Sequence, residues 1–197
     1  GQFGISVVGG DTIKSSKIMI NIALLGEVEK KYLTTRDGAS KGDWIFVSGP
    51  LGGSFKSQKH LRFMPRVAEA RFLVKNFKPT AMMDISDGLS SEILHICEQS
   101  GVGCVLYEEK IPISEETRAA AFNFEIDPTA CALSGGEDYE LLFTVPQSDF
   151  EKLVLNEQVS VIGYMTDASE TPHIITKGGN KHAITAQGWN AFKTKRF

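Results

Sequence analysis

The sequence predicts an α/β (α+β) fold, and three observations carry that prediction. Short apolar runs of strand character alternate along the chain with segments of helical spacing. Residues 81–107 read without interruption as strand, turn, helix and strand. The composition is that of an ordinary globular protein, 42% hydrophobic and 23% charged over 197 residues, which is enough chain to bury a core without staples.

Taken in order, Ile5-Ser6-Val7-Val8 has a strand pattern, and Ile18, Ile20, Ile22 and Leu24 alternate as one face of a half-buried strand. The chain opens on Gly1 with neither an initiator Met nor a signal-like segment. So abrupt an entry into a strand predicts that an N-terminal part is missing. Thr34 to Asp43 is polar and glycine-containing and marks a domain boundary. Trp44-Ile45-Phe46-Val47 is a short strand closed by Ser48-Gly49-Pro50, and Leu51 to Leu61 reads as a loop rich in Gly, Ser and Lys. Pro65 opens a helix with apolar residues at Val67, Ala70, Phe72 and Val74. Ala81 to Ile85 is a buried strand, Ser86-Asp87-Gly88 turns the chain, and Leu89, Ile93, Ile96 and Cys97 repeat at helical spacing until Gly101 stops the helix. Val102 to Tyr107 returns as a strand. Ser114 and Asp127-Pro128 start two further helices, Glu140 to Val145 is a strand, and Ser148 caps the next helix. Val159 to Tyr164 is another strand, and Ile174 to Ile184 forms a hairpin around Lys177-Gly178-Gly179-Asn180.

Charge and cysteine usage narrow the classes of function. Lys and Arg total 21 against 24 Asp and Glu, a formal charge of −3, which argues against a basic nucleic-acid surface or a polycationic membrane anchor. No apolar run approaches the ~18 residues of a membrane span. Cys97, Cys104 and Cys131 are odd in number and lack C-x-x-C spacing, so a disulfide framework or structural zinc is not expected and a reducing cytoplasm fits best. Neither a P-loop, a G-x-G-x-x-G turn nor a serine nucleophile elbow is present, and the four histidines lack metal-ligand spacing.

Three acidic, glycine-containing stations remain: Gly9-Gly10-Asp11-Thr12, Asp84-Ile85-Ser86-Asp87-Gly88-Leu89 and Gly135-Gly136-Glu137-Asp138-Tyr139-Glu140-Leu141. Each adjoins an expected strand, where a loop can present side chains from a rigid frame. Glycines permit close backbone approach to a ligand, and aspartates at such turns are hard oxygen donors suited to Mg²⁺ that also holds phosphates. Taken singly, each station has an ordinary structural use. Asp11 suits an Asx-turn, Ser86 or Asp87 suits a helix cap, and Gly135 to Asp138 suits a turn. Asp84 lies within the strand pattern and cannot be the cap, which singles it out.

Together, in this order, the three stations resemble the motif series of the thiamine-monophosphate kinase family, a branch of the ATP-using superfamily of aminoimidazole ribonucleotide synthetase and selenophosphate synthetase. Further matches are Thr35-Arg36-Asp37-Gly38-Ala39, Lys41-Gly42-Asp43, His60 with Pro65-Arg66, Ile111-Pro112-Ile113 and Gly188-Trp189-Asn190-Ala191-Phe192. The resemblance implies the C-terminal α/β domain of the aminoimidazole ribonucleotide synthetase-like fold over 37–197, preceded over 1–36 by a strand remnant of an N-terminal ATP-binding and dimerisation domain. It implies transfer of the γ-phosphoryl group of ATP to thiamine phosphate, with Mg²⁺ and in a homodimer. Gly10, Asp11, Arg36 and Ser86 would contact ATP, Asp11, Asp84 and Asp87 would hold Mg²⁺, and Glu137 and Trp189 would face thiamine phosphate. No side chain is implied as acid, base or nucleophile, which suits a reaction governed by positioning and charge neutralisation. Trp189 would offer an aromatic face to the cationic thiazolium, or else anchor the C-terminal tail to the core.

Some residues depart from the family pattern. Ile13 stands where a second Thr is usual, the loop over 51–61 looks short, and the family's earlier acidic motifs would precede Gly1. The 197-residue chain alone is therefore expected to be catalytically silent or nearly so, and its apolar N-terminal strands are expected to drive self-association. Two other functions are compatible with the residues: a superfamily enzyme that activates a different small substrate, and a non-catalytic nucleotide-binding or oligomerisation domain.

Overall fold

A computed structural model describes residues 3–156 and 158–186. Its centre is a seven-stranded sheet: β1 (Trp44–Val47), β2 (Ala81–Asp84), β3 (Gly103–Tyr107), β4 (Leu141–Val145), β5 (Ser160–Thr166), β6 (His173–Ile175) and β7 (Lys181–Ala183). The spatial order is β2-β4-β1-β5-β3-β6-β7. Neighbours pair antiparallel except β3 with β6, which run parallel. Among the described residues seven α-helices accompany it: α1 (Ser54–Ser57), α2 (Lys59–Arg62), α3 (Val67–Asn76), α4 (Leu89–Ser100), α5 (Glu115–Asn123), α6 (Pro128–Ser134) and α7 (Gln147–Val154).

Strand alternation divides the core between the two faces of the sheet. Ile45, Val47, Leu142, Ile162 and Leu106 pack with Leu89, Ile93 and Ile96 of α4. Phe46, Phe143 and Val145 point the other way and pack with Leu73 of α3 and Leu153 of α7. Phe46 and Phe143 stack across the β1–β4 pair, ring centroids 5.6 Å apart. Helices cover both faces, and the mixed architecture is the one the alternating pattern predicts.

Helix α4 buries the expected stripe of Leu89, Ile93, Ile96 and Cys97, and Gly101 ends it in the left-handed conformation at φ 66°. The caps at Ser114 and Asp127 form as expected, their side chains accepting from the Thr117 and Thr129 amides. Elsewhere packing overrides the linear pattern. Helix α3 begins at Val67, two residues after Pro65, and buries Leu73 while Val67 and Phe72 stay exposed. Pro146, not Ser148, is the cap residue of α7. The expected loop over 51–61 contains the two short helices α1 and α2.

Residues 5–8 and 18–25, read from sequence as strands, form no ladder and are exposed throughout. Alternation gives a strand one apolar face, but a ladder also needs a neighbouring backbone, and none among the described residues offers one. Ile18, Ile20 and Ile22 remain more than 80% exposed. Residues 34–37, by contrast, run along the edge of the sheet, where the Thr35 carbonyl accepts from the Met82 amide of β2 at 3.0 Å.

Candidate active site

The second and third acidic stations fold into one structure. β2 and β4 pair so that Asp84 lies opposite Leu141, which brings the loop after β2 against the loop before β4. Main-chain bonds carry the pairing past the strands: Ile85 N–H donates to the Glu140 carbonyl (2.8 Å), Tyr139 N–H to the Ile85 carbonyl (2.8 Å) and Glu137 N–H to the Ser86 carbonyl (2.6 Å). Gly136, at φ 67°, permits this contact, because a Cβ there would lie 2.7 Å from the Ser86 carbonyl oxygen. Glu137 and Tyr139 also adopt left-handed backbone at φ 56° and 51°, costly for such residues and found disproportionately where function holds them.

The strained run sorts its side chains. Glu137 points to solvent, as do Asp84 and Asp87 across the seam, while Asp138 and Glu140 turn fully inward. Tyr139 lies between them and stacks on Phe63, ring centroids 4.1 Å apart. Its phenol is pushed above the usual tyrosine range by partial burial and then by the charges of Glu137, Asp84 and Asp87. Those three exposed carboxylates thus sit on the two joined loops, near enough for their charges to bear on the phenol. Among the described residues none of them receives a hydrogen bond or ion pair, and no group of three or more His, Cys, Asp or Glu is arranged to hold a metal. Asp84 and Asp87 nevertheless suit a hard cation such as Mg²⁺, which takes one or two carboxylates and fills its remaining positions with water and phosphate oxygens.

Beneath the exposed layer lies a buried acidic one that sequence reasoning did not assign. Glu140 accepts from Ser48 Oγ (2.6 Å), from Arg66 Nε and Nη2 (2.8 Å each) and from Lys59 Nζ. Burial disfavours its charge, but the bonds from Arg66, Lys59 and Ser48 outweigh that and hold the carboxyl below the ordinary range. Asp138 receives the Gly52 amide, 3.0 Å from each of its oxygens. Burial pushes this carboxyl up to about 6. Glu92, in the first turn of α4 and 2% exposed, accepts from the Asp87 amide at 2.9 Å, and burial likewise raises its carboxyl above the ordinary range. Nothing in the linear pattern marks them, because the acids at 137, 138 and 140 precede β4 and the side each takes is set by the left-handed backbone at Glu137 and Tyr139.

The expected roles of Ser86 and Asp87 as helix caps do not hold. Gly88 is the cap residue of α4 and no side chain caps it. Of the other expected site residues, Arg36 joins this end of the sheet, lining with Asp37, Met83 and Asp84 an open groove of about 560 Å³. Gly10 and Asp11 do not. They lie on the exposed N-terminal segment, where Asp11 Oδ1 accepts from the Thr12 amide at 2.8 Å, and among the described residues no bond links Asp11 to Asp84 or Asp87. Trp189 lies outside the described residues. A further cavity of about 500 Å³ opens between α1 and α5, with Ser54, Lys59, Thr117 and Asp138 among its lining residues.

The family model for the AIR synthase related protein, C-terminal domain, matches residues 7–175. The chain belongs to this family. Thiamine-monophosphate kinase of Aquifex aeolicus is 39% identical over 160 residues, covering 72% of this chain and 51% of the relative. The thiamine-monophosphate kinase of Bacillus subtilis is 29% identical, covering 97% of this chain and 66% of the relative. The chain thus spans about half to two thirds of these family members' length. A solved structure of AaThiL complexed with AMPPCP and TMP superposes with a TM-score of 0.67 at 30% identity, covering 81% of this chain and 54% of that one. Hydrogenase maturation protein HypE in complex with ATP matches with a TM-score of 0.66 at 21% identity, a likeness of fold alone. Among the described residues no helix is long and apolar enough to cross a membrane.

Proposed function

We propose that this domain is the C-terminal part of a thiamine-phosphate kinase that transfers the γ-phosphoryl group of ATP to thiamine phosphate. The observation that carries the reading is the main-chain pairing of the loop after β2 with the loop before β4, which joins the segments bearing Asp84, Asp87 and Glu137, segments that resemble the motifs of the thiamine-monophosphate kinase family. The named relatives and the neighbour that holds both AMPPCP and TMP support it. Phosphoryl transfer asks the protein chiefly to position two anionic groups and neutralise the charge between them. Asp84 and Asp87 would hold Mg²⁺, which when bound neutralises phosphate charge. The Arg36 guanidinium, at the same end of the sheet, supplies a fixed positive charge with fork geometry for a phosphate. Ser86 adds a hydroxyl toward the nucleotide, and Glu137 and Trp189 orient thiamine phosphate. Tyr139, stacked on Phe63, ties its loop to the one after β2 through its amide bond to the Ile85 carbonyl.

In the same proposal, residues 1–36 belong with an ATP-binding and dimerisation domain, so that Gly10 and Asp11 reach the nucleotide from that side. The exposed apolar alternation of Ile18, Ile20 and Ile22 suits a strand that another domain or protomer covers. The three cysteines are free, which fits a reducing cytoplasm.

The decisive assay supplies ATP, Mg²⁺ and thiamine phosphate to the full-length protein and measures thiamine diphosphate. Formation that depends on all three is expected. A folded, metal-supplied protein that makes none would move the assignment to a superfamily enzyme with another substrate.

A further inference from the structure

The Ser86-Asp87-Gly88 turn carries two of the proposed ligands, and its own side chains contribute only a long bond from Ser86 Oγ to Glu92. One flank is held by the main-chain bonds from Glu137 and Tyr139. The other runs into α4 through Gly88, at φ 105°, where a Cβ would lie 2.7 Å from the Leu133 carbonyl oxygen. Left alone, the Ser86 and Asp87 amides would need water or a ligand, since they precede the first hydrogen-bonded turn of the helix. Glu92 meets them from inside. Its Oε1 lies 2.9 Å from the Asp87 nitrogen, 3.4 Å from the Ser86 nitrogen and 3.4 Å from Ser86 Oγ. The other oxygen, Oε2, is buried and has no hydrogen-bond partner among the described residues. A buried carboxyl of which one oxygen serves a single turn while the other stays unsatisfied is a poor device for stability alone.

From this geometry we infer that Glu92 is a positioning residue for the proposed phosphoryl transfer. By accepting the Asp87 and Ser86 amides it turns their N–H groups inward and aims the Asp87 carboxylate at the ligand side. The inference rests on the kinase reading for its consequence in turnover, but its structural half does not. The role requires an acceptor atom at Oε1 and does not require a negative charge. The neutral isostere should therefore preserve it and an apolar side chain of similar length should not.

The test compares Glu92→Gln with Glu92→Met in the full-length protein, since Met retains most of the packing volume in the α4 core. Hydrogen exchange at the Ser86 and Asp87 amides is read by mass spectrometry, and turnover is followed as a function of Mg²⁺. Glu92→Met should lose protection at those two amides, lower kcat by about tenfold or more and raise the Mg²⁺ requirement, as loss of a group that orients a metal ligand does. KM for thiamine phosphate should stay near the wild-type value, and Glu92→Gln should remain close to wild type throughout. Wild-type exchange and Mg²⁺ dependence in Glu92→Met would overturn the inference, as would equal damage from Glu92→Gln. Failure of the wild-type protein to make thiamine diphosphate would instead count against the kinase reading, with the exchange comparison still deciding the role of Glu92.

Discussion

Arg66 grips Glu140 with a two-pronged contact: Nε donates to Oε2 and Nη2 to Oε1, each at 2.8 Å. The carboxylate is fully buried and the guanidinium partly exposed, so the pair anchors the segment before α3 to the loop that carries Glu137. Through Ser48 and Lys59 the same carboxylate also collects the end of β1 and the start of α2. One buried charge thereby fixes the relative position of several loops around the candidate site.

Removing the guanidinium should expose how much depends on that charge. Arg66→Met is expected to destabilise the domain by about 3 kcal/mol, because a buried carboxylate is left with weaker compensation. Arg66→Lys should recover only part of it, since an ammonium cannot reproduce the fork. Urea denaturation followed by circular dichroism measures both. A loss under about 0.5 kcal/mol for Arg66→Met would assign the pair the weight of a surface ion pair.

Asp84→Asn and Asp87→Asn should separate function from stability. Both carboxylates are exposed and accept no hydrogen bond among the described residues, so neutralising either is expected to leave the melting temperature nearly unchanged. Thiamine diphosphate formation by the full-length protein should fall by roughly 100-fold or more, as expected when charge stabilisation of the transferring group is lost. Full activity in both variants would remove these residues from the metal assignment.

Asp138 predicts a pH dependence of definite sign. A carboxyl raised to about 6 from 3.8 binds its proton more tightly in the folded chain than in the unfolded one. Its contribution is therefore unfavourable at neutral pH and fades as pH falls through 6 toward 4. Asp138→Asn should be more stable than wild type by about 2–3 kcal/mol at pH 8, with the difference closing near pH 4. Glu140 acts in the opposite sense: its depressed value contributes stability that is present above the ordinary carboxylate range and lost as pH falls below it. Denaturation midpoints for both proteins between pH 4 and 8 test this, and a gap independent of pH would contradict it.

Gly136→Ala should undock the two loops. The substitution places a Cβ in the left-handed region at φ 67° and 2.7 Å from a main-chain oxygen, and neither contact can yield without opening the Glu137–Ser86 bond. A cost of about 2 kcal/mol is expected, together with faster exchange of the Glu137 amide. An unchanged midpoint and unchanged exchange would show that the loops tolerate separation.

The N-terminal segment should govern association rather than stability. Removing residues 1–26 is expected to leave the melting temperature of the α/β body within about 2 °C, since the described residues there are exposed and surface changes typically have small effects. The full chain should self-associate with increasing concentration by light scattering, and the shortened chain should do so less. A full chain that stays monomeric at all concentrations would refute this.

The sequence by itself determined a great deal. The short β-rich run Trp44 to Val47, the helical stripe of Leu89, Ile93, Ile96 and Cys97, and the caps at Ser114, Asp127 and Gly101 all depend on neighbours a few residues away, and all form as their pattern predicts. Two of the three acidic stations were legible as loops beside strands, and the structure joins them across the β2–β4 pair, whereas the first lies on the exposed N-terminal segment, beside no strand among the described residues. What the tertiary structure decided is what requires a distant partner. Sequence could not say that Asp84 would face solvent while Asp138 and Glu140 turned inward, because that follows from the β2–β4 register and the left-handed backbone at Glu137 and Tyr139. Nor could it find Glu92, whose spacing is that of any helix residue until the turn of Ser86 and Asp87 folds over it. The apolar alternation from Ile18 to Leu24 is the converse case. The pattern is present, but a strand is a relation between two backbones, and among the described residues of this chain the second one is missing.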